Sequence, residues 1–178
     1  MSNKSWQELL TAELLRLTTN EQPPRLALMG IGHELCGDDA AGLRIAGMLR
    51  KLLPANEHVL ILEAGPAPEN FTSVLRRFKP DLIVLLDSAL MNDVPGAVRW
   101  LNWQDTEGFS ASTHTLPLHI LAAFLTEELG CSMALVGIQP EQTFADAPLT
   151  PRVQASAEHV AQAFANCITL QDCSLSSR

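Results

Sequence analysis

The chain has no tyrosine and few aromatic residues of any kind, 5% of its 178 positions. A phenolic general acid or oxyanion donor is therefore excluded, so polarisation has to come from metal, histidine or backbone amides. Basic residues are scarce too: 12 Lys+Arg stand against 20 Asp+Glu, a formal net charge of −8. Nucleic acid and anionic membranes both select a basic face, so neither is expected as a partner. The four cysteines (Cys36, Cys131, Cys167 and Cys173) are scattered and form no CxxC pair. Reduced thiols in the cytoplasm are expected rather than a disulfide framework. Long apolar runs are missing as well. Stretches such as Leu82–Leu86 fall far short of the roughly 20 residues that span a bilayer. Glu8, Glu13 and Arg16 interrupt the first hydrophobic residues, which argues against a signal-peptide core.

What the chain does have is apolar bulk, 47% of its residues, enough at this length for one domain that buries about two-thirds of its unfolded surface. Residues 5–18 read as an amphipathic helix. Ser5 and Glu8 have capping-box spacing, and Trp6, Leu9, Leu10, Leu14 and Leu17 recur at helical intervals. That stripe suits core packing, with partner docking as the alternative. Pro23-Pro24 breaks the chain, and the pattern then alternates. Strands are expected at 25–31, 58–62, 81–87, 97–102 and 132–138. Helices are expected at 39–53, 69–78, 116–128 and 151–170, with 171–178 as a frayed tail. This alternation predicts one three-layer α/β/α domain around a mostly parallel sheet.

In such sheets, functional groups gather beyond the carboxyl ends of the strands. The first strand runs into Gly30-Ile31-Gly32-His33-Glu34-Leu35-Cys36-Gly37-Asp38-Asp39. A dinucleotide loop is a poor fit there. The third glycine of G-x-G-x-x-G is replaced by Leu35, and Asp38 and Asp39 occupy the place where a helix N-terminus would receive phosphate. One of the two aspartates, Asp38, is expected to cap the helix, which leaves Asp39 to be explained otherwise. Asp87 closes the most apolar strand, where a carboxylate needs a partner or an Asx turn against Ser88-Ala89. His114 precedes the fourth strand-to-helix junction. Together Asp39, Asp87 and His114 make an O,O,N set suited to a divalent ion such as zinc or nickel, with positions left open for water or substrate. His33 is a weaker candidate for the same ion. His58, His119 and His159 do not fit it. Gln139 and Glu141 either line the cleft or form a turn around Pro140.

The loop GIGHELCGDDAAG resembles the G-x-G-N-x-x-x-x-D-(D/E)-x-x-G signature of the [NiFe]-hydrogenase maturation endopeptidases. EAGPAPEN, LLDSALMNDVPGAVR, STHTLPL and VGIQPE follow in the family's order across residues 25–165. The APEN and THTLPL blocks resemble the hydrogenase-3-type branch. The resemblance implies a five-stranded sheet with one antiparallel strand, for which the fourth strand is the candidate. It implies removal of a C-terminal extension from a nickel-loaded large-subunit precursor, with Asp39, Asp87 and His114 as metal-contacting and catalytic residues. The nickel would come with the substrate, and zinc or another divalent ion could bind in isolation. Substrate contacts are then expected at Gly32, Asp38, Glu63, Gly65 and Gln139.

Three departures stand out. His33 replaces the family's asparagine, and Glu63-Ala64-Gly65 replaces its D-G-G turn, which bears on substrate choice. Helix 5–18 lies outside the matched blocks. Two other functions stay open from the sequence: a non-catalytic sensor of the nickel-loaded precursor, and a small-molecule hydrolase or phosphorylase on a similar sheet.

Overall fold

Three apolar runs, Leu26–Ile31 (β1), Leu82–Ser88 (β3) and Ser132–Ile138 (β5), form the centre of a five-stranded sheet. Every residue of β1 and β3 is buried, as expected for strands covered on both faces. Val59–Gly65 (β2) and Val98–Leu101 (β4) are only partly buried and lie at the two edges, in the order β2-β1-β3-β5-β4. β4 pairs antiparallel with β5, Val98 opposite Ile138, and the other pairings are parallel. This is a computed structural model, and it describes residues 4–19, 22–105 and 117–176.

Strand alternation sorts the core into two layers. Leu82, Val84 and Leu86 face Trp6–Leu17 (α1), Ala41–Leu52 (α2) and Pro151–Ser176 (α5). Ile83 and Leu85 face Thr72–Phe78 (α3) and Leu118–Leu129 (α4). α1 begins with the expected capping box. Ser5 Oγ accepts from the Glu8 amide at 3.2 Å, and Glu8 Oε2 accepts from the Ser5 amide at 2.7 Å. Its stripe is core packing: Leu10 and Leu14 are buried, and Trp6 stacks on Phe164 of α5 with ring centroids 5.9 Å apart.

Three boundaries differ from the sequence expectation by three residues or more. α3 starts at Thr72 rather than 69, because Pro68–Phe71 form a separate 3-10 turn. β2 runs on to Gly65, so Glu63-Ala64-Gly65 ends a strand rather than forming the turn after it. The Gly30–Gly32 segment continues to pair alongside, Ile31 opposite Gly65. α5 continues to Ser176 instead of fraying at 171, since no glycine or proline stops it. The chain moves outward from β1 to β2, then returns across β1 to β3. The switch point therefore lies between the carboxyl ends of β1 and β3, where open sheets form their crevice.

Candidate active site

β1 ends at Ile31, and Gly32 turns the chain with φ +122°, a conformation that suits only glycine. A Cβ there would sit 1.8 Å from the Asp39 carbonyl oxygen. This close approach folds the loop back on itself, and a single 3-10 turn, Gly37–Ala40, leads into α2. The turn delivers Asp39 to the switch point, 2% exposed. Its Oδ2 accepts the His33 amide at 2.7 Å, and its Oδ1 accepts the Ser88 hydroxyl at 3.1 Å. Each oxygen takes one hydrogen bond and keeps a lone-pair direction for a further donor or a cation. Gly42, at the start of α2, allows the helix to press on the strands: a Cβ there would lie 1.9 Å from the Leu86 carbonyl.

Asp87 is fully buried near the end of β3, with Oδ1 accepting the amide of Ser88 at 2.8 Å. The Asx turn does not form, because the Ala89 amide that it needs donates to the Ile138 carbonyl instead. Alternation puts Asp87 on the α3–α4 side of the sheet and Ser88 on the α2 side, where it meets Asp39. The two acids thus flank one strand end from its two faces. His114 lies outside the described residues. The chain is described again at Pro117, at the N-terminal end of α4, which runs down toward the start of β5. That connection places the amino end of α4 on the carboxyl side of the sheet. Among the described residues, no three His, Cys, Asp or Glu side chains group as a metal set.

Asp38 is not the cap expected of it. Neither the 3-10 turn nor α2 has a side-chain cap. Instead its fully buried carboxylate accepts from the amides of Glu141 (2.8 Å), Gln142 (3.1 Å) and Thr150 (2.7 Å), and from the Thr150 hydroxyl (3.0 Å). Backbone bonds reinforce the joint, Asp38 amide to Gln142 carbonyl at 2.9 Å and Gly37 amide to Ala147 carbonyl at 3.2 Å. The carboxylate ties the loop after β1 to the loop after β5, and the paired acids at 38 and 39 face different tasks. Gln139 is similarly committed: its Oε1 accepts the Met91 amide at 2.7 Å and the Asp93 amide at 3.3 Å, supporting the loop after β3.

Glu63 and Gly65 border a cleft of about 950 Å³ between β2 and α2, which opens from Gly32 and His33 past Arg44, Gly47 and Lys51. Glu63 is paired with Arg50 at 3.0 Å. Of the other histidines, His159 meets Gln7 at 3.0 Å and the edge of Trp6, and His58 lies 3.6 Å from Glu57. Ser88 enters the sequence reading only as a neighbour in an Asx turn, and Thr150 does not enter it. Ser88 was detectable in principle, since the residue after a strand-end acid must face the opposite layer. Nothing local marks Thr150 as the partner of Asp38.

A family model described as hydrogenase maturation protease (HycI) matches residues 43–166, well over half of the chain. The chain belongs to the hydrogenase maturation protease family. Hydrogenase 3 maturation protease of Escherichia coli is 30% identical over 136 residues, covering 76% of this chain and 85% of that relative. The crystal structure of the [NiFe] hydrogenase maturation protease HycI from Thermococcus kodakarensis superposes with a TM-score of 0.80 at 31% identity. It covers 90% of this chain and 99% of that one. The endopeptidase HycI from Escherichia coli superposes with a TM-score of 0.68 at 31% identity, covering 77% of this chain and 86% of the other. The protease fold is thus an α/β sandwich with a mostly parallel sheet and one antiparallel strand, as expected from the sequence. The activity is that of a hydrogenase maturation endopeptidase, a hydrolase, and the sensor and small-molecule readings fall away. The glycine loop and Asp39 precede the span matched by the family model, so their place in the site rests on geometry.

Proposed function

We propose that the protease removes the C-terminal extension of a [NiFe]-hydrogenase large-subunit precursor in the cytoplasm, and that it reads the nickel already carried by that precursor. The supporting observation is the pair of buried carboxylates at the switch point, Asp39 and Asp87, one on each face of the β3 end. Buried acids are tolerated where they are hydrogen-bonded or face a cation. Asp39 is held in place by the His33 amide and the Ser88 hydroxyl, so its orientation is set before substrate arrives. Asp87 supplies a second hard oxygen donor, and His114 is assigned the nitrogen donor. Nickel accepts such a mixed set, and in isolation zinc or another divalent ion would suit the same donors. The chemistry a divalent ion supplies at such a site is polarisation of the scissile carbonyl or of an attacking water.

Gly32 and Gly65, at the mouth of the cleft, are the assigned contacts for the precursor backbone, and Glu63 stands beside them. Asp38 and Gln139 act on the substrate indirectly, by fixing the loops around the crevice. No helix among the described residues is long and apolar enough to cross a membrane.

The test is cleavage of the purified nickel-loaded precursor, read by intact-mass spectrometry. Wild type is expected to release the extension. Asp39→Ala, Asp87→Ala and His114→Ala are expected to lose cleavage while keeping the native circular dichroism spectrum. Full cleavage by folded Asp39→Ala and His114→Ala proteins would remove the site assignment.

A further inference from the structure

The cleft between α2 and β2 carries charge of the wrong sign for this protein. The chain as a whole is strongly acidic, at −8, yet the cleft wall presents Arg44, Arg50 and Lys51 against Glu34 and Glu63. Arg50 and Glu63 neutralise one another across 3.0 Å. Arg44 and Lys51 are both exposed, and neither has an ion-pair or hydrogen-bond partner among the described residues. They sit with Gly47 and Met48 on one stripe of α2, at i, i+3, i+4 and i+7.

Gly47 supplies an independent observation. Glycine inside a helix costs about 0.5–1 kcal/mol relative to alanine, so its presence calls for a reason. At Gly42 the reason is contact, since Leu86 and Ile31 carbonyls leave no room for a Cβ. At Gly47 no such contact exists: a Cβ would meet only Glu63 Oε2, at 4.0 Å. Gly47 lines the cleft, where a longer side chain would project toward Glu63.

We infer that this cleft is a binding site for carboxylate groups of the precursor's C-terminal extension, with Arg44 and Lys51 as its specificity-determining residues. The inference rests on the proposed reading for the identity of the peptide. The cleft starts at Gly32 and His33, beside Asp39, and ends at Lys51. Arg44 and Lys51 are seven residues apart on α2, about 10 Å along its axis. A peptide in the polyproline-II conformation advances about 3.1 Å per residue and repeats its face every three residues, so acids three residues apart can meet both cations. A chain end can meet one of them. Solvated cations of this kind steer and select more than they clamp, and salt screens them.

The test is an NMR titration of isotope-labelled full-length protein with three 12-residue Ala/Ser peptides. The first carries two Glu three residues apart and an amidated C-terminus. The second has Gln in their place and a free C-terminal carboxylate. The third has Gln and an amidated end. At low salt the first or second peptide is expected to bind about three- to thirtyfold tighter than the third, with shifts at the Gly47 and Gly65 amides. Whichever of the two binds tighter identifies side-chain or terminal carboxylate as the ligand. The preference is expected to vanish in the Arg44→Gln/Lys51→Gln double variant and at high salt. Equal binding of all three peptides, no binding, or a preference that persists in the double variant would each overturn the inference. Cleavage is not read in this titration, so failure of the precursor assay and failure of the carboxylate site are told apart.

Discussion

Asp38→Ala tests whether one buried carboxylate holds the two crevice loops together. The substitution deletes four hydrogen bonds, and its consequences differ by site. The Thr150 amide and hydroxyl are buried, while the Glu141 and Gln142 amides are partly buried. Leaving a buried donor unsatisfied costs about 1–3 kcal/mol, whereas a partly buried amide can recover water for about 0.5–1 kcal/mol. The Thr150 hydroxyl can rotate to another acceptor and adds little. The total is about 2–5 kcal/mol, a large share of the roughly 5–15 kcal/mol that stabilises a typical domain. For a chain of this size each kcal/mol lowers Tm by about 2–4 °C, so a fall of about 4–20 °C is expected by calorimetry. Asp38→Asn keeps one acceptor oxygen and should recover roughly half of the loss. Glu141→Ala removes an exposed side chain and keeps the backbone amide, so it should stay within about 1–2 °C of wild type. A fall under about 2 °C for Asp38→Ala would refute the clamp.

Ser88→Ala removes the hydroxyl that holds Asp39 Oδ1; kcat on the precursor should drop about three- to thirtyfold with the far-ultraviolet spectrum unchanged, and an unaltered kcat would show that Asp39 needs no such support. Gly32→Ala places a Cβ 1.8 Å from the Asp39 carbonyl at a φ of +122°. Urea titration should show a loss of about 3 kcal/mol or more, and a smaller change would mean that the loop relaxes freely. Burial pushes the Cys131 and Cys167 thiols above their ordinary pKa. The unfolded chain therefore releases these protons first as pH rises. The stability they contribute is full below the ordinary thiol pKa of about 8.5 and is lost progressively above it. Melting curves from pH 7 to 10 should show that decline, and a Cys131→Ala/Cys167→Ala variant should show less of it. A decline of the same size in the variant would place its cause elsewhere.

The sheet was legible because its signals are strong and local. DLIVLLD and SMALVGI are too apolar for anything but doubly covered strands, and the less apolar segments fell at the edges, where β2 and β4 lie. Asp39 and Asp87 were reachable by a general rule, that open sheets place their chemistry at the carboxyl ends of strands beside the switch point. The division of labour between Asp38 and Asp39 was not. Adjacent acids look alike in a sequence, and what separates them is a turn about Gly37 that sends one carboxylate toward Thr150 and the other toward Ser88. The Asx turn at Asp87 failed for a similar reason, because the Ala89 amide is claimed by a strand more than forty residues away. The end of β2 was hidden too, since glycine at 65 reads as a turn until Ile31 is seen pairing beside it. The helix past residue 170 was missed because polar tails resemble frayed ones when nothing marks a stop.

The proposed role of Asp39 and Asp87 is to make proteolysis depend on the nickel that the precursor brings. The most direct measurement compares cleavage rates of the same precursor with and without nickel, for wild type and for Asp39→Asn, by intact mass. Release of the extension is expected from the nickel-loaded form alone by wild type, and from neither form by a folded Asp39→Asn protein. Equal rates on the loaded and nickel-free precursor, or undiminished cleavage by Asp39→Asn, would contradict it.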